Sequence, residues 1–412
     1  MTTRRRLLGA AAATVAAPRI ARGAAPRAVI VGGGFGGATA ARYLRRLDPS
    51  LDVTLVDRSA DYLTCPFSNL VLVGERRLDD LRQDRSGLAS TGITLVTGEV
   101  AGVDATARKV SLADGAALAY DRLLLAPGID IVWNGLQGYD EAAASLMPHA
   151  WKAGPQTELL KRQLQAMPDG GTVIITAPAA PYRCPPGPYE RASLIAWWLG
   201  RAKPRSKVLI LDAKDSFSKQ ALFLQAFADL YPGRVEWIGA AAGGHVTRVD
   251  PAAMSVETDM GSETGAVINV IPPQQAGRIA ALAGTTDAKG WCPVDPTTLE
   301  STLVPGIHVI GDACIAGPMP KSATAANSQA KAAAAAIVAL LRGDPPPEPI
   351  YANTCYSLLD PTDAISVTGV YGVGPKGIAE LAGGVSAPDA DRTKEAAYAR
   401  DWYAGIVQDS FG

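Results

Sequence analysis

Apolar and polar positions follow the same plan in two separate stretches of the chain. In each stretch an apolar run predicts a strand, an amphipathic segment predicts a helix, and a second apolar run ends at an aspartate. The aspartates are Asp57 and Asp212, and the predicted elements are 28–31, 38–47 and 53–56 in the first stretch and 172–176, 189–199 and 207–211 in the second. A strand, a helix and a parallel strand form one unit of a doubly wound sheet. The pattern therefore predicts an α/β fold with two Rossmann-like dinucleotide-binding domains.

The first loop of this plan has the spacing G-x-G-x-x-G, with Gly32, Gly34 and Gly37 at the glycine positions. Glycines at this spacing allow a tight turn and let a helix N-terminus face a pyrophosphate. Asp57 follows Gly37 by 20 residues, where an acidic side chain accepts a hydrogen bond from a ribose hydroxyl. Alone, the glycines are also compatible with a surface turn. In the context of strand, helix and acid they predict a dinucleotide site.

The second loop, "YRCPPGPYER", lacks this glycine spacing. Its neighbourhood is rich in proline, which removes amide donors and stiffens the backbone: the prolines are Pro178, Pro181, Pro185, Pro186 and Pro188. Such a loop is poorly suited to bind a pyrophosphate, so NAD(P)H is not expected as the electron donor. The loop instead presents Cys184.

Two later segments indicate which dinucleotide the first site binds. The segments "YDRLLLAPG", ending at Gly128, and "VPGIHVIGDACIAG", containing Asp312, resemble the flavin segments of flavoproteins with two dinucleotide-binding domains. The resemblance implies FAD, with Asp312 bonding the ribityl chain. An alanine-rich helix predicted over 324–341, preceded by Lys321, would place a cation and a helix dipole near the reduced flavin. Val100 is the remaining predicted cofactor contact.

The five cysteines do not have the spacing of a metal site or of a haem attachment site. They are Cys65, Cys184, Cys292, Cys314 and Cys355, and no two of them form C-x-x-C or C-x-x-C-H. The three histidines are far apart in the sequence, so no metal ligands are predicted. In an exported protein an odd number of cysteines leaves at least one outside intrachain disulfides. We interpret Cys292 and Cys314 as buried thiols.

Four further motifs follow one another along the chain: "YLTCPFSNLVL" at 62–72, "YRCPPGPYERA" at 182–192, "PMPKSATAANSQAK" at 318–331 and "YANTCYSLL" at 351–359. Together they resemble the flavoprotein subunit of flavocytochrome c sulfide dehydrogenase, a family related to sulfide:quinone oxidoreductase. The resemblance implies that Cys65 is linked covalently to the 8α-methyl group of FAD. It also implies that Cys184 and Cys355 form a redox-active disulfide, with Cys355 facing the flavin and Cys184 holding the sulfur. Glu190, at the family's acidic position, would act as a base.

The function that the resemblance implies is oxidation of sulfide, with electrons passing to a c-type cytochrome subunit that carries the haem in a heterodimer. A sulfide:quinone oxidoreductase and an accessory flavoprotein that maintains a sulfur-oxidising complex are the alternatives. The residues also have alternatives. Cys65 would then be a buried thiol, Cys184 and Cys355 a structural cross-link, and Glu190 an acid that favours the helix dipole.

Composition and the N-terminal segment bear on location and partners. A net charge of −1 across 412 residues gives no basic surface for nucleic acid. "MTTRRRLLGAAAATVAAPRIARGAAP" has arginines before a short apolar run, which resembles a twin-arginine export signal, and a disordered basic arm is the alternative. We therefore expect a periplasmic protein. No stretch has the roughly 18 to 20 uninterrupted apolar residues of a membrane span.

These predictions divide the chain into five segments. They are the export signal over 1–25, the two parts of a discontinuous FAD-binding domain over 26–140 and 271–345, a second Rossmann-like domain over 141–270 with Cys184, and a C-terminal α+β domain over 346–412 with Cys355 and the partner interface.

Overall fold

The computed structural model describes residues 25–412. The predicted export signal therefore lies outside the described residues, apart from residue 25. The described chain contains two parallel sheets, each packed against helices, and an antiparallel sheet near the C-terminus. The prediction of an α/β fold with two Rossmann-like sheets is confirmed.

The first sheet has five parallel strands in the order expected of a doubly wound sheet. Across the sheet these are Thr94–Thr97, Asp52–Asp57, Arg27–Val31, Arg122–Leu125 and Ile307–Val309. The strand order reverses between Arg27–Val31 and Arg122–Leu125, and ligands of such sheets bind at this reversal. The last strand comes from far along the chain, so the domain is discontinuous, as predicted.

The second sheet repeats this order with four parallel strands. Across the sheet these are Val235–Ile238, Lys207–Asp212, Thr172–Ala177 and Val267–Val270. Its order reverses between the last two strands, and the loop that carries Cys184 leaves the sheet at that point.

The third sheet is antiparallel and carries Cys355. Its strands are Ile350–Asp360, Asp363–Gly374 and Gly377–Val385. Leu358 and Ile365 of this sheet are buried in the same apolar cluster as Leu194 and Ile195 of the helix that follows Cys184. This shared core brings the two cysteine-bearing segments together, although 171 positions separate them in the sequence.

The α-helices follow the predicted positions closely in both Rossmann-like units. They are Phe35–Leu47, Ser68–Leu72, Ser86–Ser90, Pro155–Ala166, Gly187–Ala202, Gln220–Leu230, Arg278–Leu282, Ala323–Arg342 and Arg392–Phe411. The first begins three residues earlier than predicted, since Gly36 and Gly37 have low helix propensity yet lie inside its first turn. Among residues 25–412, none of the helices is both long enough and apolar enough to cross a membrane.

Smaller strand groups connect and cover these layers. The three-stranded antiparallel groups are Val100–Asp104 with Lys109–Leu112 and Ala117–Ala119, and Val246–Asp250 with Ser255–Thr258 and Gly261–Thr264. The two-stranded groups are Tyr62–Leu63 with Arg82–Gln83, Ile129–Ile131 with Gln274–Ala276, and Cys292–Pro293 with Cys314–Ile315.

Candidate active site

A cleft of about 670 Å³ lies where the strand order of the first sheet reverses. Of the predicted cofactor residues, those that line it are Gly32, Gly34, Asp57, Cys65, Val100, Gly128 and Asp312. The volume is in the range of small-molecule and cofactor sites. The cleft therefore brings together residues from three separate parts of the sequence.

The glycine loop at the base of this cleft leaves no room for side chains. A Cβ on Gly32, where φ is 99°, would lie 2.3 Å from the carbonyl oxygen of Ala126. A Cβ on Gly37 would lie 1.7 Å from the carbonyl oxygen of Gly32. No side chain caps the N-terminus of the helix Phe35–Leu47, so its first amides remain available to a ligand. These features fit a dinucleotide pyrophosphate.

The glycine loop and the residues after Asp57 fix the orientation of its carboxylate. One carboxylate oxygen accepts a hydrogen bond from the Gly33 amide at 2.6 Å, and the other accepts one from the Ser59 amide at 2.9 Å. Arg85, only 4% exposed, lies 3.3 Å from Asp57 and also donates to the carbonyl oxygen of Gly33. Asp57 still lines the cleft, where a ribose is expected.

Lys321 is a predicted cofactor residue whose side chain bonds to nearby backbone. Its ammonium donates to the carbonyl oxygens of Asp312 and Cys314 at 2.6 and 2.9 Å, and it lies 3.9 Å from the centre of the Trp291 ring. Lys321 is not among the residues that line the cleft. The side chain thus supports the backbone around Asp312, which lines the cleft, and the role of Lys321 beside the flavin stays a prediction.

Cys65 lies on the wall of the cleft, between the strand Tyr62–Leu63 and the helix Ser68–Leu72. Its neighbour Tyr62 also lines the cleft and stacks on Phe411 of the C-terminal helix, with 5.8 Å between the ring centres. The last helix of the chain thus packs behind the segment that presents Cys65.

The loop that carries Cys184 turns away from its own sheet and towards the first cleft. The Cys184 amide donates to the carbonyl oxygen of Lys321 at 2.8 Å, and the preceding Arg183 lines the cleft. Cys184 has a φ of 56°, a left-handed conformation that costs a non-glycine residue about 1 to 3 kcal/mol and occurs often at functional sites. The surrounding structure therefore holds Cys184 in a backbone conformation that a non-glycine residue rarely adopts.

Cys184, Cys355 and Glu190 form one electrostatic cluster beside the cleft. Burial raises the pKa of the Cys184 thiol, and negative charge on Glu190 and then on Cys355 raises it further. Burial also raises the pKa of Cys355. The structure describes the cysteines as thiols, so the disulfide between Cys184 and Cys355 stays a prediction.

The surroundings of Glu190 are compatible with both interpretations from the sequence, a base and an acid that favours the helix dipole. It lies in the first turn of the helix Gly187–Ala202, where an acid favours the helix dipole. Burial raises its pKa to about 7, although the charge of Lys219 and a hydrogen bond from the Leu358 amide act to lower it. A carboxyl group with a pKa near neutrality can accept and return a proton at physiological pH.

The position of a second dinucleotide is filled by the protein's own side chains. Asp212, at the end of its strand and fully buried, accepts hydrogen bonds from Tyr189, from Lys214 and from the Trp237 indole at 3.0 Å. Phe217 stacks on Tyr189 with 3.5 Å between ring centres. The acid that would accept a ribose hydroxyl therefore already has its partners within the fold.

Two charged residues of the site were missed in the sequence analysis. Arg183 is adjacent to Cys184, and negative charge on Cys65 and Asp312 keeps its pKa above the usual value despite burial, which acts to lower it. Adjacency to Cys184 was a signal that could have identified Arg183. Lys219 lies between a loop and a helix, and no motif in the sequence marks it.

Cys292 and Cys314 are buried, as predicted, and are direct neighbours on adjacent parallel strands. Burial raises the pKa of Cys292 to about 11 and that of Cys314 to about 12, so both are poor nucleophiles. Among residues 25–412, no group of histidine, cysteine and acidic side chains is arranged to hold a metal ion.

Three family models match successive parts of the chain. Residues 26–163 match Pyridine nucleotide-disulphide oxidoreductase, and residues 157–272 match Sulfide dehydrogenase (flavocytochrome c) flavoprotein chain, central. Residues 347–411, which include Cys355, match Flavocytochrome c sulphide dehydrogenase, flavin-binding. Together with the cleft, the flavin-binding match supports FAD as the cofactor.

Individual relatives agree with these matches. The chain is 64% identical over 45 residues to the sulfide dehydrogenase (flavocytochrome c) flavoprotein chain of Chlorobaculum thiosulfatiphilum, a stretch that covers 11% of this chain and 94% of that sequence. It is 22% identical over 308 residues to the mitochondrial sulfide:quinone oxidoreductase of Mus musculus, covering 73% of this chain and 68% of that one.

A solved structure supports the fold. The sulfide:quinone oxidoreductase of Aquifex aeolicus superposes with a TM-score of 0.75 at 20% identity, over 94% of this chain and 92% of that chain. With the family models and the identity to the Chlorobaculum chain, these findings lead to one conclusion. The chain belongs to the family of flavocytochrome c sulfide dehydrogenase flavoprotein chains.

Proposed function

We propose that this protein oxidises sulfide through a disulfide between Cys184 and Cys355 and passes the electrons to FAD held in the cleft. One observation carries the proposal: the loop at the usual place of a second nucleotide site is tied to the strand of Cys355. The Cys184 amide bonds to the carbonyl oxygen of Lys321. The hydroxyl of Ser322, the next residue, and the Cys355 thiol both bond to Asn353. Both relatives described above have sulfide in their names. We further propose covalent attachment of the FAD through Cys65.

The first chemical step is an exchange between hydrosulfide and the disulfide. Hydrosulfide attacks the sulfur of Cys184, the bond between the two cysteines breaks, and Cys355 leaves as a thiolate while Cys184 becomes a persulfide. Charge is conserved, because one anion enters and one anion forms. Removal of two electrons and one proton from this pair then joins the two cysteines through the transferred sulfur atom, and Glu190 accepts the proton.

Bound FAD supplies the two-electron acceptor and can release electrons one at a time. The chain's own residues bind and orient it. The amides at the start of Phe35–Leu47 would hold the pyrophosphate, Asp57 the ribose and Asp312 the ribityl chain. Arg183 places a positive charge on the same wall of the cleft as Cys65.

A c-type cytochrome on a separate subunit is the proposed electron acceptor, and the periplasm is the proposed location. The name of the Chlorobaculum relative, which includes flavocytochrome c, supports the acceptor. The similarity to sulfide:quinone oxidoreductases favours a quinone as the second candidate. Anaerobic reoxidation of the sulfide-reduced protein, with cytochrome c or with a soluble quinone, discriminates between the two.

Sulfide, and not NADH or NADPH, is expected to reduce the flavin. The carboxylate of Asp212 is bonded within the fold, so a pyridine nucleotide has no acidic partner for its ribose. Anaerobic stopped-flow mixing measures the loss of flavin absorbance with each donor, and dithionite defines full reduction. Rapid bleaching by NADH, with no response to sulfide, would contradict the proposed function.

The sulfide reaction is expected to depend on the ionisation of Glu190. With a pKa of about 7, the deprotonated fraction that can accept a proton rises from about one tenth at pH 6 to about nine tenths at pH 8. Glu190→Gln removes this base. Because sulfide itself titrates near neutrality, the quantity to measure is the ratio of wild-type to variant rates of flavin reduction, which we expect to grow about tenfold between these pH values. A ratio that stays constant would contradict the role of Glu190.

A further inference from the structure

We propose that Lys219 selects between the two sulfurs of the Cys184–Cys355 disulfide, because its buried ammonium stabilises a thiolate on Cys355. Cys355 then leaves and hydrosulfide is directed to Cys184. The inference rests on the proposed function and adds to it a positioning residue that acts through Cys355.

Lys219 is placed by strained backbone and is almost completely buried. It precedes the helix Gln220–Leu230 with a φ of 63°, and only 7% of the residue is exposed. Lysine is rarely buried to this degree without a charged partner. A strained, buried lysine is maintained only where the surrounding structure determines its position, as happens at functional sites.

The ammonium reaches the third sheet and binds there to neutral oxygens. It donates to the hydroxyl of Ser357 at 2.8 Å, to the carbonyl oxygen of Cys355 at 3.3 Å and to the carbonyl oxygen of Ile365 at 3.4 Å. None of these acceptors neutralises the charge. A positive charge therefore remains next to the backbone of Cys355.

The charged groups around Lys219 come from four different segments. In order of their effect on its pKa they are Cys355 of the third sheet, Glu190 of the helix Gly187–Ala202, Cys184 of the proline-rich loop and Glu395 of the C-terminal helix. Burial lowers the pKa of Lys219 to about 8, and these groups act to raise it. The lysine is thus mostly charged at pH 7 and loses its charge as the pH rises through 8.

The two cysteines are surrounded by different charges. Lys219 is the largest influence that lowers the pKa of Cys355 against burial. At Cys184 the largest influence after burial is Glu190, which raises the pKa, and the opposing Arg183 comes only after Cys355. Arg183 also forms an ion pair with Asp312, with 4.0 Å between a guanidinium nitrogen and a carboxylate oxygen.

This asymmetry determines the direction of the exchange. In thiol–disulfide exchange the sulfur with the lower pKa leaves faster, and the nucleophile attacks the other sulfur. The exchange is the step described above: hydrosulfide bonds to Cys184, the disulfide bond breaks, and the electron pair of that bond stays on Cys355. Without the charge on Lys219 the preference for Cys355 as the leaving sulfur should weaken.

Three variants separate the charge of Lys219 from its role in packing. Lys219→Gln keeps hydrogen-bond donors but removes the charge, and Lys219→Arg keeps the charge. Ser357→Ala removes the shortest hydrogen bond of the ammonium while leaving the charge in place. If Lys219→Gln fails to fold, Lys219→Met provides a second uncharged variant, and the pH dependence of the wild-type protein across pH 8 provides a measurement without any substitution.

The first measurement is the reactivity of each thiol in the fully reduced native protein. Brief alkylation with iodoacetamide between pH 6 and 10, followed by mass spectrometry of the two peptides, gives a rate for Cys355 and for Cys184. We expect Lys219→Gln to slow alkylation of Cys355 at pH 7 about tenfold, the effect of losing one opposite charge nearby. The alkylation rate of Cys184 should change little. The alkylation rate of Cys355 should be close to wild type in Lys219→Arg and only slightly lower in Ser357→Ala. An unchanged Cys355 rate in Lys219→Gln would overturn the inference.

The second measurement locates the persulfide. One equivalent of sulfide is mixed anaerobically with the oxidised protein, and rapid quenching with acid and an alkylating agent stops the reaction before the flavin absorbance falls. Wild type should carry the persulfide on Cys184, whereas Lys219→Gln should carry it on both cysteines. A persulfide on Cys184 alone in both proteins would refute the role of Lys219 only. Absence of both a persulfide and a trisulfide in either protein would instead refute the proposed function.

Discussion

Replacing either Cys184 or Cys355 with serine is expected to abolish reduction of the flavin by sulfide. The two sulfurs act as one unit, because hydrosulfide attacks one and the other leaves with the electron pair. Effects of residues that act together are not additive, so each single variant should lose at least about a thousandfold in rate and the double variant should be no worse. The rate of flavin bleaching in anaerobic stopped-flow measures the loss, and dithionite should still reduce each variant.

A purely structural cross-link predicts a different outcome. A disulfide closing a loop of 171 residues would stabilise the fold by about 4 to 5 kcal/mol in the chain-entropy model, so its loss would lower the melting temperature. Sulfide oxidation would then survive well below that temperature. Cys292→Ala is the matched control, because it removes a buried thiol that does not line the cleft. Near wild-type rates for Cys355→Ser at low temperature would contradict a catalytic disulfide.

Much of the fold could be predicted because the apolar runs of the parallel strands are continuous. Thr172–Ala177 and Lys207–Asp212 each differ from the prediction by one residue. Buried parallel strands are apolar on both faces, so their limits are visible in the sequence. The glycine loop was equally visible, since its spacing reflects steric limits on the backbone.

The parts that could not be predicted depend on contacts between distant segments. Lys219 becomes important only when the third sheet packs over it, 136 positions after it in the chain. Asp212 lies where an acidic residue would bind the ribose of a nucleotide, yet its carboxylate already accepts hydrogen bonds from Tyr189 and Trp237. Lys321 precedes the predicted helix, but the sequence did not show that its ammonium would bond to the carbonyl oxygens of Asp312 and Cys314. Sequence position identified Asp212 and Lys321 but not Lys219, and tertiary packing decided the partners of all three.

Cys65 is expected to hold the flavin covalently, so that the colour remains with the polypeptide after acid denaturation. Its sulfur lies on the wall of the cleft that also contains Asp57 and Asp312, and the segment around it is braced by stacking between Tyr62 and Phe411. A fixed nucleophile beside a bound cofactor has the proximity that bond formation requires. Cys65→Ser should bind flavin in the native state through the unchanged glycine loop but release it on denaturation.

Digestion and mass spectrometry should locate the flavin on the peptide that contains Cys65. The matched control is Cys184→Ser, which alters a nearby sulfur but leaves the cleft wall intact and should retain its colour after denaturation. The two variants therefore have different defects: Cys65→Ser loses the covalent bond to the flavin, and Cys184→Ser loses the reaction with sulfide. If wild-type flavin washes out in acid, or if the flavin peptide contains a different cysteine, then Cys65 serves as a wall of the cleft and binding depends on noncovalent contacts from the glycine loop, Asp57 and Asp312 alone.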